Sequence, residues 1–267
     1  ANKALKPFNR KIGPDPASQA TCKIGGVVNN NSSGMCCGVA QNTYHTMARL
    51  RIVLTDGTVL DSGDAASCTA FRQKHAGMLA EIARLHADVT DDADLTALIR
   101  RKYRIKNTVG YSLNALVDFS DPLDILIHLM VGSEGTLGFV SEVTYNTVPE
   151  HPFKATALVP FPDPQSAGRA IIEMANGGVQ ATTGVTAAEY IERRALATVE
   201  HLPPMAPLLP WLTHTSPAVL IDVTAPDAAI LAAETARAVE LLSRHGATHI
   251  DFSTDEGRSH ALWDIRK

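Results

Sequence analysis

Ile24-Gly25-Gly26-Val27-Val28-Asn29-Asn30-Asn31-Ser32-Ser33-Gly34 is the stretch on which the reading of this chain turns. Two glycines open it, small polar residues follow, and Gly34 closes it. Almost no side chain there is large enough to keep a ligand away from the backbone. Glycine admits positive φ and close approach, so successive N–H groups are expected to converge on an anion. A tight, solvated Asn/Ser/Gly loop is the plain alternative. Roughly a hundred residues further on, a second cluster, Gly132-Ser133-Glu134-Gly135-Thr136-Leu137-Gly138, runs into an alternating strand pattern. Two such segments suggest two walls of one cofactor cleft.

Neither cluster fits the common nucleotide motifs. A phosphate loop requires Gly-Lys-Ser/Thr after four intervening residues, and no lysine stands there. The dinucleotide fingerprint Gly-x-Gly-x-x-Gly joins a strand to a helix. Gly132, Gly135 and Gly138 are instead three apart and precede a strand.

The 267 residues suffice for one large or two ordinary domains. A hydrophobic content of 45% with 19% charged residues is that of a globular protein. The net charge of −4 gives no attraction to nucleic acid or an anionic membrane. No apolar run approaches the ~20 residues of a transmembrane helix, and no leader pattern opens the chain. Cys22, Cys36, Cys37 and Cys68 have no disulfide, zinc or iron–sulfur spacing, which points to reduced thiols and a cytoplasmic setting. His245 and His249 are four apart, but Gly246 breaks the helix that would align them, so no metal site is expected. The first residue is not methionine, and Trp263 to Lys267 carries no stop signal, so the chain reads as a piece of something longer.

Along the chain, 1–5 reads as a helix end and Pro14 to Ser18 as a rigid turn. Met47 to Leu54 alternates as a strand, Asp56-Gly57 signals a two-residue hairpin, and 58–60 returns. The spacing of Phe71, Met78, Leu79, Ile82 and Leu85 predicts one helix over 68–86, and 95–103 a second. The segment 124–131 is strongly apolar, 139–145 is β-rich, and 149–152 marks a domain boundary. Beyond it we expect strands at 154–161, 180–186, 218–224 and 248–252. Helices are expected at 164–175, 187–201 and 227–245, with Gly177-Gly178 as a stop signal. Strand–helix–strand repetition gives an α+β fold, an open sheet with helices on one face.

Taken together, Pro14 to Ser18, 24–34, Val53 to Gly57, Asn107 to Leu113, Gly132 to Gly138 and Leu262-Trp263-Asp264-Ile265-Arg266 resemble, in order and spacing, the vanillyl-alcohol-oxidase/p-cresol-methylhydroxylase superfamily. The likeness is nearest its FAD-linked D-2-hydroxyacid dehydrogenase branch. The residues at 34–46 are similar to the large bacterial D-2-hydroxyglutarate dehydrogenase and D-lactate dehydrogenase-like type, which carries a downstream iron–sulfur region. An insertion at 114–128 agrees with that type. The resemblance implies the second part of a PCMH-type FAD-binding domain over 1–150. Part of a ferredoxin-like α+β substrate (cap) domain of the FAD-oxidase C-terminal type would follow over 151–267. The Arg-Gly-Gly-Gly-Thr-like pyrophosphate loop that begins such domains has no match here. The histidine-rich metal and catalytic motif beyond the Leu-Trp-x-x-Arg helix has none either.

Carried over residue by residue, the resemblance implies that Gly25, Gly26, Asn31, Ser33 and Gly34 lie along FAD. It implies that Pro14, Asp15 and Ser18 form the turn beside the flavin ring, with Gly38 and His45 continuing the wall. Glu134, Gly135, Gly138 and Val140 would flank the other side, although a β-bulge also accounts for Gly135 and Gly138. Arg266 would grip the substrate carboxylate, for which a guanidinium fork is suited. Tyr111 and Asn114 would line the substrate side, or pack and cap. The implied reaction is oxidation of a D-2-hydroxy acid to the 2-oxo acid by hydride transfer to flavin, with the base outside this chain. An iron–sulfur cluster and a divalent metal would also lie outside it. The electron acceptor is not implied, a homo-oligomer is allowed, and the cytoplasmic setting leaves room for peripheral attachment to the inner membrane. The competing readings are a superfamily oxidase acting on another alcohol and a non-catalytic ligand-binding module. With half the cleft missing, the piece by itself is expected to be inactive and to retain FAD weakly if at all.

Overall fold

The computed structural model describes residues 1–34, 36–176 and 184–265. The chain divides into two compact units, Ala1–Pro149 and Glu150–Lys267, each with its own apolar core.

The first unit opens with α1 (Asn2–Leu5), a 3-10 turn and β1 (Arg10–Ile12). Then come α2 (Ile24–Asn29), α3 (Thr43–Thr46), and the strands β2 (Met47–Val53) and β3 (Val59–Asp61). Helices α4 (Ala65–Lys74), α5 (Ala76–Thr90), α6 (Ala93–Lys102), α7 (Ala115–Asp118) and α8 (Pro122–Leu129) follow, and β4 (Phe139–Tyr145) and β5 (Thr147–Pro149) close the unit. An antiparallel sheet runs β3-β2-β4, and β1 pairs with β5. Leu50, Ile52 and Leu60 turn one sheet face into a core filled by Phe71, Leu79, Ile82, Ile125 and Met130 from the helices. Burying such side chains contributes about 1.5–3 kcal/mol each.

Three expectations change here. Residues 24–29 are helical rather than looped, because Val27 and Val28 are drawn into the core at 3% and 0% exposure. The hairpin holds Thr55-Asp56-Gly57 between Leu54 and Thr58, a three-residue loop with Gly57 at φ +80°. The helix expected over 68–86 breaks at His75, which ends α4, accepts no helical ψ of its own and stacks its ring on Phe71. The apolar 124–131 segment is mostly helix α8, started by Asp121, whose side chain accepts from the Leu123 N–H.

The second unit contains β6 (Phe153–Pro160), α9 (Pro164–Asn176), β7 (Val185–Ile191), α10 (Arg193–Val199), β8 (Ala218–Ala225), α11 (Ala228–Arg244) and α12 (Glu256–Asp264). Its antiparallel sheet runs β6-β8-β7. Helices α9 and α11 pack on one face through Ala167, Met174, Leu231 and Leu242 against Ala157, Val219 and Ile221. The other face carries a second cluster, in which Leu262 and Ile265 meet Leu158, Leu220, Leu196 and Met205.

Two expectations fail in this unit. Residues 187–191, expected in a helix, extend β7, because pairing along β8 outweighs a weak alanine-rich pattern. Residues 248–252 are not a strand: Thr248 N–H donates to Pro160 and an isolated bridge joins Thr156 to Ser253. The Gly177-Gly178 stop signal and the start of the strand expected at 180–186 lie outside the described residues.

Candidate functional site

The two glycine segments meet. Gly132 N–H donates to Val28 O at 3.1 Å and Glu134 N–H to Asn29 O at 2.8 Å, so the second segment is laced to the C-terminal end of α2. The side chains repeat the link: Asn30 Nδ2 donates to Glu134 Oε1 at 2.6 Å, and Ser133 Oγ to Asn29 Oδ1 at 3.4 Å. Asn31 and Glu134 both hold left-handed φ, +49° and +53°, a conformation non-glycine residues keep only when their surroundings fix it. Asn31 is fixed by burial and by the Tyr44 N–H donated to its Oδ1 at 3.3 Å. A side chain at Gly132 would stand 2.9 Å from the Gly110 carbonyl, so this crossing requires glycine.

Asp15 organises the other end. Its Oδ1 accepts from Gly34 N–H at 2.9 Å and Cys37 N–H at 3.2 Å, and its Oδ2 from Cys36 N–H at 3.1 Å. The anion that the Gly34 amide meets is thus the chain's own carboxylate. A side chain at Gly34 would fall on the Asp15 carbonyl, which explains the glycine. Burial, and then the Asp15 charge, push the Cys37 thiol up to about 12 from an ordinary 9.0. Cys37 is therefore a neutral packed thiol.

Of the remaining expected residues, Pro14 is buried, while Ser18 is exposed and receives the Thr21 and Cys22 amides on its carbonyl. Gly25 packs near the Val140 carbonyl, and its own carbonyl accepts from Asn29 Nδ2. Around Gly26, Gly38 and Gly135 an added side chain would meet nothing within 4 Å. Gly138 is glycine because the Val53 carbonyl would lie 2.9 Å from a side chain there. Exposed His45 bonds only back to Asn42, through Nδ1 at 3.0 Å and its own N–H. Tyr111 is exposed, its hydroxyl 2.8 Å from Thr136 Oγ1, which ties 107–113 to the second glycine segment. Asn114 is buried and donates to Asp118 Oδ2 at 3.0 Å. Arg266 lies outside the described residues.

Sequence reasoning passed over Lys106, whose ammonium donates to the Ser33 carbonyl, and Tyr103, whose hydroxyl joins Tyr111 and Leu113. Neither stands in a motif that marks it. Asn29 and Asn30, which carry the links to Glu134, were visible as part of the asparagine triplet. Tyr44 donates to Asp118 at 2.8 Å, and burial followed by that bond pushes its phenol above its ordinary range.

Whether these residues fit a flavin is tested by what they leave unmet. Among the described residues Ser33 Oγ and Asn114 Oδ1 are buried without a hydrogen-bond partner, a cost ordinarily avoided unless a ligand or water satisfies the atom. Both belong to the expected set, as do Gly26, Gly38 and Gly135, where an added side chain would meet nothing. The chemistry of these residues fits a dinucleotide cofactor. A separate cavity of about 400 Å³, lined by Val89, Leu95, Ile99, Tyr103, Leu113 and Leu116 among others, includes none of the expected residues. Among the described residues no group of three or more His, Cys, Asp or Glu could hold a metal, and no helix is long and apolar enough to cross a membrane.

Known proteins bear on the fold and the domains. The chain is 26% identical over 175 residues to a D-lactate dehydrogenase [cytochrome], mitochondrial, of Kluyveromyces lactis, covering 66% of this chain and 27% of that protein. It is 31% identical over 153 residues to a D-2-hydroxyglutarate dehydrogenase of Pantoea ananatis, covering 55% of this chain and 15% of that one. The solved structure of an alkyldihydroxyacetonephosphate synthase superposes with a TM-score of 0.62 at 14% identity, covering 99% of this chain and 42% of the other, which establishes the PCMH-type α+β fold. The chain thus spans less than half the length of these relatives. Residues 1–63 match the FAD binding domain profile and residues 150–267 the profile of the C-terminal domain of FAD linked oxidases, and with these two domains the chain belongs to the FAD-linked oxidases.

Proposed function

We propose that this chain is part of an FAD-dependent dehydrogenase that oxidises a D-2-hydroxy acid, of the D-2-hydroxyglutarate or D-lactate class, to the 2-oxo acid. In this reading 1–150 contributes one side of the flavin cleft and 151–267 the substrate cap. The observation that carries it is the lacing of α2 to the 132–138 segment, together with two buried polar atoms that have no partner among the described residues, Ser33 Oγ and Asn114 Oδ1. The names of the D-lactate and D-2-hydroxyglutarate dehydrogenases it resembles support the substrate class.

Bound FAD supplies the two-electron acceptor. The chain's own part is binding and orientation. Ser33, Asn31 and the open backbone at Gly26 and Gly135 hold the dinucleotide, and Asp15 holds Gly34, Cys36 and Cys37 in place through three N–H bonds. Arg266 takes the substrate carboxylate through paired charge-assisted bonds, and Tyr111 and Asn114 line the substrate side. The proton leaves to a base that these residues do not include.

The test is the complete protein with FAD, offered a panel of D- and L-2-hydroxy acids with an artificial electron acceptor. Acceptor reduction with a D-acid of this class, with little peroxide under air, is the expected result. Turnover of other alcohols with stoichiometric peroxide would replace the reading with an oxidase, and absence of any bound flavin would remove it. In the active protein, Arg266→Ala should raise KM about a hundredfold with a smaller effect on kcat, the signature of lost carboxylate binding.

A further inference from the structure

We propose that Asp222 is a positioning residue: anchored between Thr156 and Lys154 of the sheet, it holds the Trp263 indole and so fixes the rotation of α12, the helix that leads into Arg266. This rests on the reading of Arg266 as the carboxylate-binding residue.

Asp222 sits on the central strand β8 at 3% exposure, two residues along the strand from Leu220 of the apolar cluster. A carboxylate there is costly to desolvate unless fully partnered. Its partners are three. Thr156 Oγ1, directly across in register on β6, donates to Oδ1 at 2.6 Å. The Trp263 indole Nε1–H donates to the same Oδ1 at 3.0 Å. Lys154, two residues before Thr156, places Nζ 2.5 Å from Oδ2 and 5.6 Å from the Trp263 ring centroid.

Thr156 and Lys154 already satisfy the carboxylate from within the sheet. The indole bond does something different: it ties α12 to that anchor. Leu262 and Ile265 hold α12 against Leu158 and Leu220, but apolar contact is non-directional and tolerates rotation about the helix axis. A hydrogen bond from a rigid ring to a fixed oxygen is directional. The Lys154 ammonium over the indole face adds a second constraint on the same ring. Rotation matters because a guanidinium gripping a carboxylate through two parallel bonds needs its plane as well as its position, and small misplacements are expensive in rate or affinity.

The experiment uses the complete, FAD-loaded protein and its Trp263→Phe, Asp222→Asn and Asp222→Ala variants. Trp263→Phe keeps the ring in the apolar cluster and removes only the donor. Its KM for the hydroxy acid should rise about tenfold while kcat falls less than about threefold, as expected when ground-state binding alone is lost. Flavin content and the visible spectrum should match the parent. Asp222→Asn retains an oxygen for the indole and should keep more affinity than Asp222→Ala. Should Asp222→Ala fail to fold, Trp263→Phe still decides. A flavin-loaded Trp263→Phe protein with the parent KM would overturn the inference and leave the functional reading intact. A parent protein whose flavin no hydroxy acid reduces would overturn both.

Discussion

At the scale of single residues, each glycine of the cleft does separate work. Gly34 and Gly132 are required by the fold, since a side chain at either would strike a backbone carbonyl. Gly26 is not: it lies inside α2, exposed, with nothing within 4 Å of an added side chain. Gly26→Ala should therefore stabilise the flavin-free protein by about 0.5–1 kcal/mol, the usual helix-interior gain. If backbone approach to FAD is why glycine stands there, the same change should weaken FAD binding severalfold, read by flavin fluorescence titration beside a urea unfolding curve. Stability gained with affinity unchanged would take Gly26 out of the cofactor site. Asp15 gives a second test. Asp15→Asn keeps a single acceptor oxygen for three N–H donors and should cost about 1–3 kcal/mol in urea unfolding. It should also bring the Cys37 thiol down from about 12, because the Asp15 charge is part of what raises it. The sign of the pH dependence follows. Cys37 holds its proton longer folded than unfolded, so its contribution to stability is complete below about pH 9 and is lost between about pH 9 and 12. Alkylation should accordingly modify exposed Cys22 in the native protein and reach Cys37 only on unfolding.

At the scale of elements, the β2–β3 hairpin shows how a local signal fixes a turn without fixing its length. Asp56 accepts from the Thr58 N–H at 2.9 Å and hydroxyl at 2.8 Å, and Gly57 takes φ +80°. An alanine there must adopt the left-handed region, so Gly57→Ala should cost about 1–2 kcal/mol in chemical unfolding without touching the cleft; flavin affinity should not move. Asp-Gly predicted the reversal correctly, but the same dipeptide serves two- and three-residue loops, and the partnering of Leu54 with Thr58 selected the longer one. Legibility elsewhere followed the same division. Strands β2 and β4, rich in β-formers, and helices α6, α9 and α11, with spaced apolar residues, were readable because those patterns are written locally. Helix α2 was not, since Gly25-Gly26 and the asparagines argue for a loop and only the burial of Val27 and Val28 argues otherwise. Strand β7 failed for the converse reason: Ala187 and Ala188 suit a helix, and the sheet edge offered by β8 decides. At the cleft, the meeting of the two glycine segments was legible from composition. Its lacing by Asn29, Asn30 and Glu134 depends on left-handed backbone that no spacing rule announces.

At the scale of the molecule, the cores determine what each unit does alone. The cluster around Leu50, Ile52, Phe71 and Met130 draws every member from residues 28–145. The two clusters flanking β6, β7 and β8 draw theirs from residues 155–265. Among the described residues each cluster is drawn from one unit, and a domain that buries its own core is able to fold independently. The second unit also keeps all three partners of its buried carboxylate: Asp222, Thr156, Lys154 and Trp263 all lie within it. Residues 150–267 expressed alone should therefore show a single cooperative transition in urea, with coincident circular dichroism and tryptophan fluorescence curves. Trp263→Phe in that isolated unit should lower its stability by about 0.5–1.5 kcal/mol, the net worth of one ordinary hydrogen bond. Non-coincident curves, or a unit that gains structure only when residues 1–149 are added, would mean that the sheet and its two faces are not sufficient to hold α12 in place.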